Sequence, residues 1–212
     1  MKRLLLTLLV LSAACLFSSA APAQIKRPGA HPRYSLEIEP HVVLQWEHEV
    51  WNDAGLGPGV RFNIPFLDNG PIDRINNNMA IGFGVDWAHF GDDCDHFGGP
   101  FPGQPVESDC SGDVFVLPVT LQWNFFITPR IWVFGEPGLA IGHSRWRVSY
   151  RYACGPQGCP CAPGECDGEV DDTDTDLWFV FWGGARFLLS DRVSFTARIG
   201  TPYVSLGASF LM

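Results

Sequence analysis

The chain has 212 residues, of which 46% are hydrophobic and only 17% charged; 14 Lys and Arg face 23 Asp and Glu, for a formal net charge of −9. That sign speaks against nucleic acid and anionic lipid as partners. Seven cysteines, six of them behind an export-type start, point away from a reducing compartment.

Residues 1–23 have the composition of a signal peptide: Lys2 and Arg3, an apolar run over residues 4–17, and Ala21-Pro22-Ala23 ahead of Gln24. The run is too short for a helical membrane span. A rival reading makes Cys15 an acylated lipoprotein cysteine, although Ser12 stands where that motif has Leu. Cleavage after Ala23 leaves 12 Lys and Arg against 23 Asp and Glu, a net charge of −11, and six cysteines.

Residues 24–33 form a polar, proline-containing lead-in, and residues 34–212 suit one all-β domain. Over residues 34–46, Leu36, Ile38, Val42, Leu44 and Trp46 alternate with Glu37, Glu39, His41 and Gln45. After a polar loop, Val60, Phe62, Ile64 and Phe66 alternate with Arg61, Asn63 and Pro65. A turn region at residues 67–78 follows. Met79, Ile81, Phe83, Val85 and Trp87 then alternate with Ala80, Gly82, Gly84 and Asp86. A period of two is the strand signal, and small inward residues fit a narrow lumen.

Residues 91–112 read as a long loop carrying Cys94 and Cys110. Residues 113–142 are a strand pair turning at Thr128-Pro129, and its second arm extends towards Tyr152. Residues 153–176 read as an acidic, cysteine-rich loop. The last three strands follow, over residues 177–190, 193–200 and 203–212, with turns at Asp191-Arg192 and Thr201-Pro202. The predicted fold is an eight-stranded antiparallel up-and-down transmembrane β-barrel, with an even strand number and mostly long connections on one side. Pro40, Pro65, Pro118 and Pro137 stand against this, because a closed sheet has no edge to accept them; bulges are the available account.

The final residues, Ser205-x-Gly207-x-x-Phe210-x-Met212, are similar to the C-terminal assembly signal of outer-membrane barrels. With the strand pattern over residues 34–212, the chain resembles the small eight-stranded barrels of the OmpA and OmpX type. That family usually ends in Phe rather than Met. The resemblance implies the bacterial outer membrane, with outer-membrane lipid and the barrel assembly machinery as partners.

Inward parity collects a charged set: Glu37, Glu39, Arg61, Asp86, Glu136, Arg186 and Arg198, with His41 and Gln122 at similar heights. Charges in a lipid-embedded barrel belong in the lumen, paired with one another. Glu136 is expected to be the hub between Arg186 and Arg198. An eight-strand lumen filled in this way is no open pore.

Cys154, Cys159, Cys161 and Cys166, like Cys94 and Cys110, are disulfide candidates. Zinc is the rival by ligand type, but the spacing fits no common finger. Asp171, Asp172, Asp174 and Asp176 are acceptable calcium ligands by chemistry, yet they lack the Gly and terminal Glu of an EF-hand; a solvated acidic loop is the plainer reading. No cofactor is expected. His143 and Ser144 are adjacent and point to opposite faces, which spoils a His-x-Ser hydrolase pair. Asp92, Asp93, Asp95 and His96 stand at a rim without a second acidic pair. The expected function is non-catalytic: a structural or surface-binding barrel with no enzymatic activity. A rim-acting hydrolase and a soluble secreted barrel for a small apolar ligand are the rivals.

Overall fold

A computed structural model of the chain describes residues 24–45, 54–91, 107–152, 161–162 and 166–212. Residues 1–23, expected to be a signal peptide, and Trp46, the Asp92–His96 group, Cys94, Cys154 and Cys159 lie outside these residues. Eight strands pair antiparallel in sequence order: β1 (Glu37–Gln45), β2 (Gly55–Leu67), β3 (Asn77–Gly91), β4 (Glu107–Phe126), β5 (Ile131–Arg151), β6 (Asp167–Ser190), β7 (Val193–Thr201) and β8 (Tyr203–Leu211). β1 closes the ring on β8. Alternation sorts the side chains: on β3, Ile81, Phe83 and Val85 are exposed, whereas Ala80, Gly82 and Asp86 are buried. The shortest strands, β1, β7 and β8, have nine residues each, close to the roughly 9–11 that a tilted strand needs to cross a bilayer.

Three strands begin earlier than the sequence pattern indicates: β2 at Gly55, ahead of Val60, and two others by a wider margin. β4 starts at Glu107, inside the expected 91–112 loop, and β6 starts at Asp167, so the acidic run 171–176 is strand and not loop. The cause is cross-strand pairing with β5. Arg145, Arg147 and Arg151 stand beside Asp171, Glu169 and Asp167, which turns a charged segment of low strand propensity into a paired one. β1 is shorter than residues 34–46; the backbone N–H groups of Ser35 and Leu36 instead donate to Met212 O.

Four of the five strand prolines have a simpler account than bulges. Each of the four coincides with a break in one of its two ladders, while the register continues unchanged across the break. Pro40 interrupts β1–β8, Pro58 β2–β3, Pro118 β3–β4 and Pro137 β4–β5. A proline lacks one N–H and so disturbs pairing on one side only, leaving the other ladder to hold the strand. Only Pro65 sits at a shift of register among the described strands.

The lumen is layered. Above the middle, Val43, Phe90, Val116, Trp146, Trp182 and Tyr203 belong to one buried cluster. At the short-turn end Phe126, Trp132 and Leu211 form a second, with Tyr34 and Leu188 packed on it. Charged side chains occupy the space between. The lead-in closes the short-turn end and does not trail free: Gln24 N donates to Ile127 O, Asn76 N to Ile25 O, and His31 stacks on Phe126 with ring centroids 4.6 Å apart.

This inside–outside assignment has a direct check. Trp132→Ala empties a buried site and should cost about 3–5 kcal/mol, lowering the temperature at which the folded gel band disappears. Leu121→Ala, on the outer face of β4, should leave that temperature nearly unchanged. Equal effects of the two would reverse the parity.

Candidate functional site

Eight strands leave so narrow an interior that inward side chains from opposite walls touch. Arg198 on β7 donates from Nε to Glu136 Oε2 (2.8 Å) and from Nη1 to Glu39 Oε1 (2.6 Å). Arg186 on β6 lies 2.5 Å from Glu37 and 3.3 Å from Glu39, and donates to Gln122 Oε1 at 3.0 Å and Asn124 Oδ1 at 3.3 Å. Arg61 on β2 donates to Asp86 Oδ2 at 3.0 Å and sits 3.5 Å from Glu136. The Tyr203 hydroxyl donates to Asp86 and accepts from Arg61 at 2.6 Å. His41 Nε2 is 2.8 Å from Asp86 Oδ1. Ser209 Oγ donates to Glu39 Oε2 at 3.0 Å. All seven charged residues expected in the lumen are buried there.

The expected hub is displaced. Glu136 meets Arg198 and Arg61, while Arg186 is held by Glu37 and Glu39, so Arg198 is the residue shared by both halves. Register explains the shift. Glu136 lies opposite Trp182, four positions along β6 from Arg186, or roughly 13 Å along a strand. Counting heights from the turns omits this stagger, which barrel closure imposes. The aromatic partners also escaped the sequence reading. Arg61 lies over the Trp182 ring at 4.9 Å, and Arg186 and Arg198 lie over Phe134 at 4.6 and 5.3 Å. Inward parity was the signal available for Phe134, Trp182 and Tyr203. Gly207 serves the same packing: a Cβ there would fall 2.6 Å from His41 Cβ.

At the C-terminus Ser205 faces the lumen, where its Oγ accepts from Arg198 Nη1 at 3.2 Å, and Phe210 and Met212 are exposed on the outer face. Cys161 and Cys166 are joined by a disulfide, and Cys110 is disulfide-bonded as well. Among the described residues no group of three or more His, Cys, Asp or Glu is placed to hold a metal.

Beyond the ring, β4, β5 and β6 continue as a three-stranded sheet. β7 accompanies β6 only as far as the Phe181–Thr201 pair, whereas β5 follows it to the Arg151–Asp167 pair. Among the described residues, the far edge of β6 from Asp167 to Val180 therefore pairs with no strand. On one face Arg145 donates to Asp171 at 3.1 Å, and Arg147 lies 2.6 Å from Glu169. The hydrogen bond from Arg145, reinforced by its charge, holds the Asp171 carboxyl below the usual carboxylate range. On the other face Asp172, Asp174 and Asp176 follow at alternate positions. The hydrogen bond that a protonated Asp176 donates to the neighbouring Asp174 carboxylate, and then that carboxylate's charge, pushes Asp176 up. The sheet's base is marked by polar pairs: Trp87 Nε1 donates to Asp113 Oδ1 at 2.9 Å, and His143 Nδ1 lies 2.8 Å from Thr175 Oγ1.

No family model and no curated protein matches the chain. Solved structures do. One is Ail, the attachment invasion locus protein of Yersinia pestis, crystallised with the heparin analogue sucrose octasulfate: 14% identity, 86% of this chain and 99% of that one, TM-score 0.46. A second is Neisserial surface protein A: 9% identity, 84% and 97%, TM-score 0.46. A third is the backbone structure of Ail in a phospholipid bilayer nanodisc: 12% identity, 85% and 100%, TM-score 0.42. The chain shares with these small outer-membrane proteins a closed, antiparallel, eight-stranded barrel.

Two outcomes test the site. Breaking a buried pair costs about 3–5 kcal/mol, because the remaining charge is stranded. Glu136→Ala and Arg198→Ala should each lower thermal stability, with a double variant well short of the sum; the coupling of Glu136→Ala with Arg186→Ala should be smaller. A larger coupling to Arg186 would restore it as Glu136's partner.

In the outer sheet, the depressed Asp171 carboxyl contributes stability present above its unfolded-state value and lost as pH falls through its folded-state value. Acid should therefore loosen the β5–β6 extension first, read as protease cleavage there while the barrel stays intact. Asp174→Asn should return Asp176 to the ordinary carboxylate range in an NMR titration, and Asp171→Asn should not.

Proposed function

We propose that the chain is an integral barrel of the bacterial outer membrane with a non-catalytic, surface-binding role, its outer sheet docking an extended cationic segment of an external protein. The observation that carries the membrane reading is the outer wall. Side chains such as Val42, Ile64, Phe83, Leu117, Phe179 and Phe210 are exposed around the whole ring, while the charges at the same heights are inside. Water would penalise that arrangement, and lipid favours it. A closed ring also pairs its backbone groups strand to strand, as hydrocarbon requires.

The signal segment 1–23 is then removed on export. Ser205, Gly207, Phe210 and Met212 are the residues offered to the assembly machinery, and outer-membrane lipid surrounds the belt. A lumen occupied by buried charged and aromatic side chains favours this reading over a carrier of small apolar ligands. The docking reading rests on the unpaired edge of β6. Its main-chain donors and acceptors can add a strand, and its carboxylates select a basic one and repel a second copy of the same edge.

Membrane fractionation should place the chain with the outer membrane, extractable by detergent and with a heat-shifted gel band. Recovery of folded protein in the soluble periplasmic fraction would overturn the membrane reading. For docking, a lysine-rich extended peptide should bind the whole detergent-folded protein, weaken with salt, and lose affinity with Asp172→Asn/Asp174→Asn/Asp176→Asn. Binding indifferent to those changes would remove the sheet from the function.

A further inference from the structure

The overall negative charge hides a separation along the barrel axis. The outer sheet and rim carry three cations against eight carboxylates among the described residues, from Asp109 to Asp176. The short-turn end has the opposite sign: Lys26, Arg27, Arg33, Arg74, Arg130 and Arg192 against Asp68, Asp73 and Asp191. All six cations are exposed, and among the described residues none forms an ion pair. Their distribution is annular. Arg74 stands in the β2–β3 turn, Arg130 in the β4–β5 turn, Arg192 in the β6–β7 turn, and Arg33 ahead of β1, beside the end of β8. Each of the three hairpin turns at this end, and the β1–β8 seam, thus presents one guanidinium.

From these observations, and on the membrane reading above, we propose that the short-turn rim is a binding collar for anionic phospholipid headgroups. The backbone beneath the arginines is fixed. Leu188 N donates to Arg130 O at 2.7 Å and Leu211 N to Arg192 O at 2.8 Å. Asn77 Nδ2 donates to Ile72 O and Ile75 O on either side of Arg74. Every arginine also has an exposed apolar neighbour at the edge of the lipid belt: Ile72 by Arg74, Ile127 by Arg130, Leu189 by Arg192, and Met212 by the Arg33 segment. A cation on a fixed turn next to an acyl-facing side chain stands at the level of lipid phosphates, where guanidinium binds by charge and by paired hydrogen bonds. The end of the lumen within this ring is closed by Phe126, Trp132 and Leu211. The collar therefore surrounds no opening into which an axial ligand could reach, and the surrounding leaflet is the occupant its geometry fits.

The test uses the whole mature chain refolded in zwitterionic detergent. Phosphatidylglycerol or phosphatidylethanolamine with identical acyl chains is added, and lipid retained per barrel is read by native mass spectrometry. Phosphatidylglycerol should be retained preferentially, with the preference falling as salt rises. Arg33→Gln/Arg74→Gln/Arg130→Gln/Arg192→Gln should abolish the preference while keeping the heat-shifted band. Each single change should weaken apparent affinity about fivefold, the factor equivalent to about 1 kcal/mol per cation at an anionic surface. Arg145→Gln/Arg147→Gln/Arg151→Gln, on the outer sheet, should leave the preference intact.

Equal retention of the two lipids by a heat-shifted wild-type barrel overturns the collar alone, as does a preference that survives the quadruple change or disappears with the outer one. Binding of soluble peptidoglycan fragments without any lipid preference overturns it in favour of a cell-wall partner. A wild-type chain that never shows the shifted band overturns the membrane reading and the collar with it.

Discussion

Closing a sheet at eight strands leaves an interior one side-chain layer wide, and that limit governs everything placed inside it. Three guanidiniums and four carboxylates share the middle of this space, so each must find its partner within reach of the facing wall. Arg198 does this by standing between Glu39 and Glu136; Arg61 does it through Asp86 and Tyr203. Large residues opposite small ones make the room. Ala80, Gly82 and Gly84 give β3 a flat inner wall; Arg61 lies against Gly84, and Asn63 and Thr120 lie against Gly82. The apolar clusters above and below keep water from the pairs, which strengthens each of them.

The same closure tolerates prolines once the ladders are considered singly. An interior strand has two neighbours, and the missing N–H of Pro40, Pro58, Pro118 or Pro137 is felt by only one. The unbroken ladder on the other side preserves register. These four prolines disturb local pairing without requiring an edge or a slipped strand, whereas Pro65 marks a shift of register.

Strand identity and facing were legible in the sequence, because a period of two with apolar residues on one parity leaves little choice in elements such as 79–87 and 115–125. The set of lumenal charges followed from the same parity. Partner choice did not, because it depends on stagger around the ring, which no single strand encodes: Glu136 and Arg186 look level when counted from their turns and lie four residues apart in the ladder. The outer sheet was hidden for another reason. Asp167, Glu169 and Asp171 have low strand propensity, and they are strand only because Arg145, Arg147 and Arg151 stand across from them, in a segment far away in sequence. Net charge misled in a similar way. Its total averages an acidic outer end with a basic inner one, and only topology separates the two.

Glu39 carries a consequence for the chain's own making. It lies on the first strand, and its carboxylate is held by Arg186, Arg198 and Ser209, from the sixth, seventh and eighth. A ring missing its last strands would leave that charge, and Glu37 beside it, with no counterpart in the interior. The lumen therefore works as a completeness check: a half-threaded copy is marked by stranded charge, and only the full set of strands neutralises its own first one.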